Sequence, residues 1–103
     1  MLNLHLNVNA QTAKRLKKVL EFSRDEETFA QNVIAYQLAE LRRGILNLKL
    51  DMQAFEEKYG LSSRAFYEKF SQGEMGDDED ILTWAGLVEM LGENEKRLQE
   101  LEA

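Results

Sequence analysis

At 103 residues, with 44% apolar side chains and no cysteine, the chain can bury one modest core and excludes disulfides, thiolate metal sites and thiol catalysis. Its formal charge of -6 is unevenly spread, with eight Lys/Arg against five Asp/Glu in residues 1–50 and five against fourteen in residues 51–103. No run of about 18 apolar residues is present to span a membrane, and Met1-Leu2-Asn3-Leu4-His5 lacks the basic and apolar regions of a signal peptide, so a cytoplasmic chain with no membrane partner is expected.

Leu2 to Val8 alternates strictly, with Leu2, Leu4, Leu6 and Val8 on one face and Asn3, His5 and Asn7 on the other. That is the period of a β-strand. A strand needs a partner for its backbone groups, either a counterpart in a second chain or the similar stretch at 46–52. Asn9 then caps a helix to about Phe22, with Ala13, Leu16, Val19 and Leu20 as its apolar stripe and Lys14, Arg15, Lys17 and Lys18 around it. Residues 23–28 break the pattern. Ser23 and Asp25 are both candidate caps for a second helix, which starts near Glu26 and carries Phe29, Ala30, Val33, Ile34, Leu38 and Leu41.

The middle of the chain supports two periods. Ile34, Leu38, Leu41, Ile45, Leu48, Met52, Phe55 and Tyr59 form an uninterrupted a/d seam. Inside it, Leu46-Asn47-Leu48-Lys49-Leu50-Asp51-Met52 alternates like a half-buried strand. Eight seam positions without a slip, followed by Gly60 as a stop, favour one long helix, in which Gly44 marks a bend or a close crossing. Ser62 caps a short helix to about Gln72 with Ala65, Phe66 and Phe70 on its apolar face. Residues 73–80 form an acidic loop, and Asp77 caps a last helix carrying Ile81, Trp84, Leu87, Val88, Leu91, Leu98 and Leu101. The charged turns after Gly92 are expected to fray.

The strand Leu2–Val8, the Asn9-capped helix, the polar turn and Thr28-Phe29-Ala30-Gln31-Asn32-Val33-Ile34 resemble the ribbon-helix-helix family of dimeric DNA-binding proteins. The resemblance covers about two-fifths of the chain. It implies a mainly α fold with one N-terminal β-strand paired across a homodimer, plus a long helix and a helical C-terminal region. Asn3, His5 and Asn7 would then read base edges of an operator DNA, and the helix start at Thr28 would meet a phosphate. Asp25, Glu26 and Glu27 depart from this pattern, because like charges there oppose a phosphate. Residues 55–91, with FEEKYGLSS, Phe66-Tyr67, GEMGDD and Trp84, resemble helical segments of small prokaryotic antitoxin-like proteins. That resemblance implies an acidic partner-binding region, here Phe55, Tyr59, Phe66, Phe70 and Trp84, wrapping a basic protein toxin. Core packing is the competing reading of those aromatics.

No chemistry-bearing constellation accompanies these patterns. Asp77-Asp78-Glu79-Asp80 lacks the alternating ligands of a calcium loop, the single histidine His5 has no co-ligand, and Ser62 and Ser63 have no activating pair. No enzyme, metal or cofactor is expected. The expectation is a module at 1–44 that dimerises and binds DNA, followed by an acidic helical region at 45–103 that binds a protein toxin. The alternative is a helical dimeric interaction module without a nucleic-acid role.

Overall fold

A computed structural model describes residues 1–102. Four helices account for its regular structure: α1 (Ala10–Phe22), α2 (Glu26–Tyr59), α3 (Ser63–Ser71) and α4 (Glu79–Glu102). The chain divides into two compact units, Met1–Ala35 and the part from Tyr36 onward. The boundary thus falls nine residues before the expected one at 44, inside α2.

The first unit is built from local signals. Asn9 Oδ1 accepts from the Thr12 N–H at 2.8 Å and starts α1. Ser23 ends it, its N–H bonded to the Leu20 carbonyl and its hydroxyl donating to the Val19 carbonyl. Asp25 starts α2, its Oδ1 accepting from the Thr28 N–H at 2.7 Å. Residues 1–9 form neither helix nor strand, and every one of them is exposed.

The expected ribbon-helix-helix fold is therefore overturned: among the described residues there is no strand and no sheet. Alternation at Leu2–Val8 creates an apolar face but supplies no hydrogen-bonding partner. The only other alternating segment, 46–52, satisfies its backbone groups inside α2. Its alternation resolves into two i,i+4 pairs on a helix. Leu48 and Met52 are buried on one side, while Leu46 and Leu50, a rotation of about 200° away, are exposed.

The second unit is an antiparallel hairpin of α2 and α4 with α3 packed at its closed end. Three contacts set the register. Lys58 pairs with Asp80 near the turn, a Cβ on Gly44 would lie 3.5 Å from the Asn94 side chain, and Arg42 pairs with Glu102 at the far end at 2.9 Å. The residue numbers in these pairs sum to nearly the same value, so the heptad seam of α2 runs along α4 within one chain. Leu41, Ile45, Leu48 and Met52 are buried on α2, and Ile81, Trp84 and Ala85 on α4. That register also explains why α4 continues to Glu102 instead of fraying after Gly92: Leu98 and Leu101 are half-buried in its last turns.

The closed end is tightly capped. Gly60 takes φ 63°, and both its N–H and that of Leu61 end on the Glu56 carbonyl, stopping α2. Ser62 Oγ then accepts from the Ala65 N–H at 3.1 Å, and the Glu56 carboxylate accepts from the Ser63 N–H at 2.8 Å. One α2 side chain thereby caps the next helix and neutralises its exposed N-terminal dipole.

Candidate functional site

The five aromatic residues expected to meet a partner converge around Trp84. Its ring stacks on Phe66 at 3.8 Å between centroids, with Phe55 at 5.8 Å and Tyr59 at 5.7 Å; Phe70 lies 5.9 Å from Phe66. Trp84 and Phe66 have no exposed surface. The buried indole N–H donates to Ser63 Oγ at 2.8 Å, so the largest core side chain keeps its polar group satisfied. Phe55 and Phe70 are half-buried against this cluster. Of the five, Tyr59 is the most exposed, at 39%. Trp84 and Phe66 are core, with Phe55 and Phe70 packed against them and Tyr59 at the rim, which is the core-packing reading of these aromatics.

Tyr59 belongs to a polar junction on the rim of that core. Its hydroxyl donates to Asp80 Oδ2 at 2.9 Å, and Lys58 donates to the same oxygen. The hydrogen bond from Lys58, then that from Tyr59, holds the Asp80 carboxyl below its ordinary range. Hydrogen bonding to Asp80 in turn raises Lys58 and Tyr59 above their usual values. A second link of this type joins α3 to α4, where the Tyr67 hydroxyl donates to Glu89 at 2.8 Å and is raised by that bond. None of these three acid partnerships was evident from the sequence. The antiparallel register of α2 and α4 is the signal that would have found the two on Asp80, since it brings 58 and 59 level with 80.

The residues expected to contact DNA are not assembled into a surface by secondary structure. Asn3, His5 and Asn7 are exposed within the non-helical residues 1–9. At the start of α2, the Thr28 N–H that would meet a phosphate is already taken by Asp25. That bond, from the Thr28 backbone first and its side chain second, holds Asp25 below its ordinary range.

Surface character differs between the units. In the first, no residue is buried, and Leu2, Leu4, Leu6, Val8, Val19 and Leu20 are all exposed. A shallow groove on α1 is lined by Thr12, Arg15, Leu16 and Val19. From Tyr36 onward the chain carries fifteen acidic against eight basic residues, and among the described residues no acid is buried. No group of three or more His, Cys, Asp or Glu in the described residues could hold a metal ion, and no described helix is long and apolar enough to cross a membrane. Comparison of the chain with protein-family models, with curated proteins and with solved structures finds no match.

Proposed function

We propose that the chain is a helical protein-interaction module: the unit from Tyr36 onward is its self-sufficient body, and the unit Met1–Ala35 completes its own core on a protein partner. The carrying observation is burial. Residues 1–35 contain two apolar stripes, yet none of those residues is buried, while the remainder closes a core around Trp84. A concentrated apolar surface is the usual mark of a surface that another molecule covers. The acidic body favours a basic partner, because a field of one sign speeds encounter with the other and disfavours like-charged competitors.

This reading keeps the partner-binding half of the antitoxin-like expectation. The operator-binding half rested on a paired ribbon that the fold lacks, and Asp25 occupies the amide that a phosphate would need.

Hydrogen exchange on the chain alone tests the proposal. Amides of α1 should exchange almost as fast as those of an unstructured peptide, and those at 41–55 and 81–91 slowly. Adding a partner captured by cross-linking in the native cell should slow α1 by at least tenfold, with affinity falling as salt rises. Strong α1 protection in the monomeric chain alone would sink the proposal.

A further inference from the structure

The helix α2 carries a second heptad seam that its own chain does not use. Tyr36, Ala39, Arg43, Leu46, Leu50, Gln53 and Glu57 follow one another in steps of 3-4-3-4-3-4. They lie on the side of α2 opposite Leu41, Ile45, Leu48 and Met52, which α4 covers. All seven are exposed, with Tyr36 at 66%, Leu46 at 57% and Leu50 at 55%. A single exposed leucine needs no explanation. Two leucines one turn apart, framed at heptad spacing by an aromatic residue and a small one, form a stripe shaped for another helix.

We propose that this stripe is a self-association surface on which α2 of a second copy of the chain packs antiparallel. Charge selects both the occupant and its direction. The seam ends in opposite signs, Arg43 before the leucines and Glu57 after them. A parallel pair would set Arg43 against Arg43 and Glu57 against Glu57, since equivalent positions face each other there. An antiparallel pair layers a against d: Leu50 meets Leu46, Leu46 meets Leu50, and Arg43 meets Gln53 with Glu57 one turn beyond. The flanking positions agree, because Arg42 of one copy comes level with Glu56 of the other.

Three features oppose tight pairing. Arg42 and Arg43 already bind Glu102 and Glu40 in their own chain, Glu56 caps α3, and Lys49 faces its own copy near the twofold. The apolar contribution is also only a few residues per copy, well below the usual area of about 800 Å² per partner. The dimer is accordingly weak and concentration-dependent.

Sedimentation velocity of the full chain tests this. The mass average should rise from monomer towards dimer between about 1 µM and about 1 mM, the regime of small interfaces. Leu46→Glu with Leu50→Glu should weaken association more than tenfold while leaving helix content and Trp84 emission unchanged. Arg43→Glu should weaken it, and adding Glu57→Arg should restore it. Val19→Lys with Leu20→Lys, which alters only the first unit, should leave it intact, so this inference and the proposed function fail separately.

Direction is read by single cysteines, which are unambiguous in a cysteine-free chain. Lys49→Cys, close to the twofold, should cross-link on oxidation. Ala39→Cys should not, because its copy lies about 27 Å away along an antiparallel pair. A chain monomeric throughout this range, a dimer untouched by the Leu46 and Leu50 changes, or equal cross-linking at positions 39 and 49 would each overturn the proposal.

Discussion

Ser63 has the least conspicuous side chain in the core and carries one of its larger single dependencies. Its hydroxyl is the acceptor for the buried Trp84 N–H, so Ser63→Ala leaves that donor without water or protein to bond. An unsatisfied buried donor costs about 1–3 kcal/mol, and urea denaturation followed by the emission of the single Trp should show a loss of that size. A loss below about 0.5 kcal/mol would mean that the hydroxyl is dispensable. Gly44 predicts the reverse sign. It lies inside α2 with ordinary helical backbone, and a Cβ there would meet only Asn94 at 3.5 Å, a normal contact. Gly44→Ala should stabilise the chain by about 0.5–1 kcal/mol by restricting the unfolded state and raising helix propensity. A destabilised Ala variant would show instead that α2 and α4 approach too closely for a methyl group. Neither effect could be assigned from the sequence, where Gly44 marks a bend or a close crossing and Ser63 only a residue after a cap.

At the scale of elements, legibility tracks how local each interaction is. Asn9, Ser62 and Gly60 bond within a few residues along the chain, and the sequence places them correctly as helix boundaries. The N-terminal strand failed because pairing is nonlocal: alternation at Leu2–Val8 specifies a face but cannot supply the second strand. The heptad in α2 was legible as a helix, although its partner α4 became clear only from the register. That register concentrates charge at Asp80, which gives the hairpin a pH signature. Because the fold depresses the Asp80 pKa, its stabilisation is complete above the ordinary carboxylate range and is lost as pH falls through the lowered value. Lys58 and Tyr59 are raised, so their contributions are complete below their ordinary values and are lost as pH rises through the raised ones. Melting temperature against pH should therefore show a plateau that falls on both sides. Asp80→Asn should lower the plateau and flatten both limbs. Limbs unchanged by this substitution would show that the junction does not link α2 to α4 in solution.

For the whole molecule, the two units are predicted to answer differently to substitution, because only one has a core. Ile81 is 3% exposed in the cluster around Trp84, and Ile81→Ala should cost about 2–5 kcal/mol through lost transfer energy and the cavity left behind. Val19 and Leu20 are of similar size but 49% and 40% exposed. Val19→Lys with Leu20→Lys should change the stability of the isolated chain by no more than about 0.5 kcal/mol, the range of ordinary surface changes. The same pair should abolish binding of any partner that α1 recruits, since two lysines replace two apolar positions of its stripe. Chemical denaturation of both variants, with Trp84 emission reporting the body and hydrogen exchange reporting α1, separates the two effects. A loss of several kcal/mol from the lysine pair would mean that the first unit already buries these side chains in the free chain. Its apolar stripe would then be structure already in use, not a surface held open for a partner.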